Sequence, residues 1–288
     1  MASVLVVVVA ASVGCLAAMG SAAPAGASTT THGSRQTAAI ERNLATSATE
    51  DYELATRLAA GTLDTDTQAL AAAAATGDTA VAEEDELAAQ SAYDAVGQAL
   101  DENRAEAETF DGLAADTPPG TPLSGLHLVE RDLWDGGNAE QAAAAVEAAA
   151  PMVALILSRV RLEPTAIVTA GVNALGWVDD EVVTGNEEAY SHLDTVDAVA
   201  GVAAARTAFA MVAPLGRLAA PGATRAVVEQ FARLAARVNA LGPPGTRVDT
   251  EIGQSSWLAL AQQVDATAAA LSILGGDLAH FSAGGTYG

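Results

Sequence analysis

The chain has 288 residues, half of them hydrophobic when alanine is counted and only 4% aromatic, with a formal net charge of −23. All 13 basic residues are arginine, set against 36 acids, so the chain has no evident basic face for a phosphate backbone, which argues against nucleic acid as a partner. The length allows one large domain or two small ones, the alanine-rich composition is that of close-packed helices, and the acidity favours solubility and attracts cations.

Val4 to Met19 is an apolar run, too short for a membrane span, and Ala25-Gly26-Ala27 after it fits an A-x-A cleavage site. Residues 1–27 therefore read as a secretory signal peptide, although no arginine precedes the run. Cys15, the only cysteine, follows Ser12-Val13-Gly14, which loosely resembles a lipoprotein box without its usual leucine, so lipid anchoring at Cys15 stands as the alternative to release. Cleavage after Ala27 leaves no cysteine, hence no disulfide and no thiolate ligand. Residues 28–35 read as a polar linker and 36–288 as one helical domain.

Helical periodicity runs from Gln36 to the turn Thr76-Gly77-Asp78, and Gly61 either kinks one long helix or ends a shorter one. A second helix spans Thr79 to Arg104 with Leu87, Tyr93, Val96 and Leu100 on its apolar side. An irregular segment, Ala105 to Leu123, holds Phe110-Asp111-Gly112 and the breaker Thr117-Pro118-Pro119-Gly120-Thr121-Pro122. The next helix ends at Asp135-Gly136-Gly137-Asn138. Ala139 to Val160 is another, in which Pro151 marks a break or a fresh first turn. Pro164 opens a helix to Val183, before Thr184-Gly185-Asn186, and Glu187 to His192 is a short polar connection. Further helices run from Asp194 or Thr195 to Ala213, from Ala223 to Leu241, and from Ile252 to Leu274. No alternating strand pattern of useful length occurs. The expectation is an all-α fold, an antiparallel helical bundle built as two four-helix bundles sharing helices.

The chemistry concentrates in Ser124 to Trp134, which carries one of the chain's four histidines. On a helix, His127 and Glu130 share a face, beside an apolar stripe of Leu126, Val129 and Leu133. An imidazole and a carboxylate at that spacing bind a metal, hold a proton or hydrogen-bond each other, and the pair belongs at the edge of the stripe or half buried within it. Glu130 has Arg131 and Arg104 as alternative partners. Glu187 and His192 form a weaker polar cluster at a helix start, and Trp134, Trp177 and Trp257 read as core or bundle-edge residues.

Gly125-Leu126-His127-Leu128-Val129-Glu130-Arg131-Asp132-Leu133-Trp134 resembles the Gly-Phe-His-Arg-Ile-Glu-x-x-Leu-Trp signature of the imelysin-like and EfeO-like extracytoplasmic proteins. Val183 to Asp194 resembles their Ile-Thr-Gly-Glu-Glu-Asp-x-Tyr-Ser-His-x-Asp segment, with a weaker continuation from Val202 to Pro214. Thr76-Gly77-Asp78 through Tyr93-Asp94 keeps the family spacing between an Ala-Gly-Asp turn and a Tyr-Glu pair. The resemblance implies a metal site of Asp94, Asp111, His127 and Glu130. A second acid of that family pattern is Gly97 here, and Asp101, one turn on, is its nearest substitute.

Three carboxylates and one imidazole suit a divalent or trivalent ion, iron first, with manganese, zinc or copper(II) as alternatives and nothing soft to select copper(I). The resemblance implies a secreted, periplasmic or cell-surface protein that captures iron and hands it to a membrane permease, with a peroxidase-type protein as a further partner. Two other readings stay open. Imelysin-like proteins are also classed as metallopeptidases, but a hydrolytic site needs about three ligands, an open water position and a base, and no His-Glu-x-x-His occurs on the His127 helix, so no catalytic residue is assigned. The other is a helical module for a polysaccharide or protein partner with a vestigial metal site, the reading that Gly97 keeps open.

Overall fold

The computed structural model describes residues 29–97, 99–100, 110, 123–159, 161–246 and 248–282. Residues 1–27, expected to be a signal peptide, with Cys15 among them, and Asp101, Arg104 and Asp111 lie outside the described residues. The chain divides into two compact units, Met1–Ala38 and Ala39–Gly288. The fold is all-α, as composition and periodicity predict: the described residues form eight α-helices and no strand.

Helix α1 spans Thr29–Thr76 without interruption, so 29–35, read as linker from its polarity, is helical, and Gly61 does not end the helix. Its buried positions, among them Ala48, Tyr52, Thr56, Leu63, Thr67 and Leu70, recur every three or four residues along one face. Helix α2 covers Thr79–Gly97, α3 Gly125–Trp134 and α4 Ala139–Leu157. Helix α4 runs through Pro151, which therefore neither ends nor restarts it. Helix α5 is Pro164–Trp177, with proline at the first position, where its missing N–H costs nothing. It widens into a π-helical turn, Val178–Val182. Helix α6 is Thr195–Ala219, extending past Pro214 beyond its predicted end, α7 is Pro221–Leu241 and α8 is Gln254–Ser282.

Helices α5, α6, α7 and α8 pack as neighbours, α5 on α6 and α8, and α7 on α6 and α8. Helix α6 also packs on α2, α2 on α3, and α3 on α4, so α6 joins the two sets. Small residues let these helices approach. A Cβ on Gly171 would stand 3.2 Å from Ala208 Cβ, at the α5–α6 contact. Three segments, Ala139–Leu157, Thr195–Ala219 and Gln254–His280, are long and apolar enough to cross a membrane by length and composition.

Candidate metal centre

Helix α3 carries its polar pair deeper than its apolar stripe predicts. Leu126, Val129 and Leu133 are buried, and so are His127, 4% exposed, and Glu130, 1% exposed. Arg131 does not pair with Glu130. Its Nη2 donates to Asp132 Oδ1 at 2.6 Å.

Helix α2 contributes a second polar row. Glu86, Gln90 and Asp94, spaced four residues apart, are all buried beside Ala82, Ala89, Tyr93 and Val96. Leu87, assigned to the apolar side from sequence, is only half buried, because the face that meets α3 and α6 is centred on Glu86 and Gln90 instead. Gln90 Nε2 donates to Asp94 Oδ1 at 3.1 Å and to Glu187 Oε1 at 2.9 Å, tying α2 to the segment after α5.

That segment is shaped by how α5 ends. Gly185, at φ +75°, takes the left-handed conformation that closes a helix, and Gly185 N–H donates to Val182 O at 3.1 Å and Asn186 N–H to Glu181 O at 2.9 Å. The chain then turns through 187–194, burying Glu187, Glu188, Ser191 and Asp194. Glu130 Oε1 accepts the backbone N–H groups of Tyr190 and Ser191, both at 2.8 Å, so α3 fixes this turn. Ser191 Oγ donates to Glu188 Oε2, and Glu188 N–H to Asp194 Oδ1 at 3.2 Å. His192, paired with Glu187 in the sequence reading, is exposed at φ +57°, while Glu187 turns inward.

The imidazole of His127 stands between two carboxylates. Its Nδ1 is 3.8 Å from Glu130 Oε2 and its Nε2 is 3.7 Å from Glu187 Oε1. Both separations are too long for a hydrogen bond. An N donor and an O donor each ~2.1 Å from one ion at a tetrahedral angle stand about 3.4 Å apart, so the Nε2–Glu187 pair is near ligand spacing. Glu130 faces the opposite nitrogen at 3.8 Å and is itself engaged by backbone N–H groups.

Seven carboxylates, Glu86, Asp94, Glu130, Glu187, Glu188, Asp194 and Asp197, are buried with this one histidine, and no arginine is buried among the described residues. Burial pushes Glu188 up to about 8, helped by the charge of Glu130, and Asp194 up to about 9, helped by its contact with Asp249. Asp197 is raised well above the usual carboxylate range, by burial first and then by Glu188 and Asp94. These three carboxyls therefore keep their protons to higher pH than exposed ones do.

The donor set fits a hard or borderline ion in chemistry and charge. Its spacing is more open: among the described residues no group of three His, Cys, Asp or Glu closes tightly enough to hold an ion. Of the residues singled out from sequence, Asp94, His127 and Glu130 belong to one buried network, and Asp111 lies outside the described residues. Phe110, its neighbour, stacks on Tyr93 with ring centroids 5.1 Å apart. Sequence reasoning missed Glu86, Glu188 and Asp197 and placed Glu187 elsewhere. The available signal was periodicity: 86, 90 and 94 share a helical face, as do 194 and 197. The chain matches no family model and no curated protein.

Proposed function

We propose that this protein binds a metal ion, iron first, in the buried network of His127, Glu187 and Asp94, and that it acts outside the membrane as a carrier that hands the ion to a permease. The observation that carries the metal reading is the burial of seven carboxylates with one imidazole and no arginine among the described residues. Charges removed from water call for partners or protons, and no buried arginine among the described residues is one of them. The resemblance of 76–94, 124–134 and 183–194 to the EfeO-like proteins supports the transport role and the extracytoplasmic location, and it brings the permease and the peroxidase-type protein as partners. In this reading Glu130 orients the imidazole and the 190–191 backbone, and Gln90 holds Asp94 and Glu187 together. The ion is cargo.

The test is a calorimetric titration of the metal-stripped protein with Fe(III) citrate, Fe(II), Zn(II) and Cu(II), beside His127→Ala and Glu187→Gln. The reading predicts saturable binding of about one ion per chain by the unaltered protein and its loss in both variants. Equal weak uptake by all three would mean that the acidic surface alone attracts ions. The second reading, a helical binding module with a vestigial site, has one observation in its favour, the lack of three converging donors among the described residues.

A further inference from the structure

Residues 242–246 and 248–253, between α7 and α8, are tied to the turn that precedes α6. Asp249 N–H donates to His192 O at 3.0 Å, and Gly245 N–H to Thr195 Oγ1 at 3.2 Å. These two bonds bracket Asp194. His192 sits at φ +57° and is held from its other side by its own N–H, which donates to Glu188 O at 2.9 Å. The loop thus pins a backbone conformation that side chains other than glycine rarely adopt.

Side chains meet at the same place. Asp194 is 0% exposed and in hydrogen-bond contact with the half-buried Asp249. Ionised carboxylates have only acceptor oxygens, so this contact exists only if one of the two acids carries a proton. The surroundings agree. Asp194 Oδ1 accepts Glu188 N–H at 3.2 Å, whereas Asp194 Oδ2 and both oxygens of Asp249 are buried and receive no N–H and no hydroxyl.

The ordinary uses of the two acids are absent. Asp194 is the N-cap residue of α6 and makes no side-chain cap bond, and the short helical turn Asp249–Glu251 has none either. The charged groups acting on Asp194 are Asp249 and Glu188, with Asp197 one turn along α6, and all are acids. His192, the titratable group of the same turn, is exposed. If Asp194 and Asp249 were both ionised, they would repel each other across buried oxygens and push the loop away.

We propose that the α7–α8 loop is a strap fastened by one proton shared between Asp194 and Asp249, closed while the proton is held and released as it is lost. Burial and the contact with Asp249 raise Asp194 to about 9, and on release it returns towards the ordinary 3.8. Over that interval the closed state holds more protons than the open one, so opening becomes easier by up to about tenfold for each unit of rising pH. The strap is independent of any metal.

The test is hydrogen exchange of the full-length, metal-free protein from pH about 5 to about 8, corrected for the intrinsic pH dependence of amide exchange. The reporters are the amides of Gly245 and Asp249, which make the two backbone ties. Their protection is expected to fall several-fold per unit, up to about tenfold. In Asp249→Asn, whose amide donates to ionised Asp194 without a shared proton, protection of the Gly245 amide is expected to stay level. If that variant does not fold, Asp194→Asn puts the amide on the other side of the pair and carries the same prediction. His192→Asn removes the nearby imidazole, keeps a residue tolerant of the left-handed backbone, and is expected to behave as the unaltered protein does. Level protection in the unaltered protein would overturn the strap. An equal fall in the Asp249→Asn or Asp194→Asn variant, or level protection in His192→Asn, would do the same by placing the titrating group elsewhere.

Discussion

The two sets of helices joined by α6 treat buried polarity in opposite ways. Among α7 and α8 the buried side chains are Val227, Leu234, Leu260, Val264, Leu271 and Leu274, and the buried hydroxyls are satisfied within their own helices, Thr224 Oγ1 donating to Ala220 O at 2.9 Å and Thr267 Oγ1 to Gln263 O at 2.7 Å. Around α2, α3 and the 187–197 stretch the buried polar groups are mostly carboxylates, with one imidazole, bonded across elements far apart in sequence. The first region is complete without anything from outside. Among the described residues the second holds no buried arginine, and its Glu188, Asp194 and Asp197 carboxyls are pushed towards their protonated forms by burial.

The comparison breaks first in the apolar region. Leu271, fully buried, is expected to cost about 2 to 5 kcal/mol on truncation to alanine, read by denaturant unfolding and indifferent to added metal. If the loss depended on metal, the two regions would not be independent.

Glu130 is the next largest. Glu130→Ala removes the acceptor of two backbone N–H groups, and leaving buried donors unmet costs about 1 to 3 kcal/mol each. Glu130→Gln, which keeps an acceptor oxygen, is expected to lose markedly less. Equal losses in the two variants would show that the charge of Glu130, not its hold on the 190–191 backbone, is what the fold uses.

Acidity sharpens the comparison further. Folded Glu188 keeps its proton up to about 8 and Asp194 up to about 9, against ordinary values of 4.5 and 3.8. Between those limits the folded state binds more protons than the unfolded state, so stability of the metal-free protein declines as pH rises from about 5 to about 8. Thermal unfolding across that range checks the sign. A bound ion displaces the protons, so loaded protein is expected to lose less stability over the same interval.

The smallest effect concerns α1. Gly61 is exposed within the helix, and a Cβ there would meet nothing within 4 Å. Gly61→Ala is therefore expected to stabilise by about 0.5 to 1 kcal/mol in denaturant unfolding. A loss would mean that the helix does bend at this position in solution.

Much of this fold was legible in sequence because alanine, leucine and valine at helical spacing, with Gly-Asp and Pro-Gly breaks, leave few alternatives to helices. Thr184-Gly185-Asn186 marked the end of α5 correctly, since glycine alone takes the left-handed turn there without strain. Pro151 and Pro214 were misleading, since α4 and α6 run on through them. The site was legible only in part. His127 and Glu130 stood out by residue type. Glu187 and Asp197 did not, because an acid in a chain with 36 of them reads as solvated surface until a neighbouring helix buries it. Leu87 hid Glu86 for the same reason, as hydrophobicity was allowed to choose the buried face of α2.

The proposal that the buried carboxylates form a cation site built on His127 is tested most directly by X-ray absorption at the iron edge of protein loaded with one equivalent of Fe(III), beside His127→Ala loaded in the same way. The account predicts one imidazole and otherwise oxygen donors around iron in the unaltered protein, with the imidazole signal gone in the variant. An all-oxygen environment identical in both would contradict it, because the iron would then sit on surface acids.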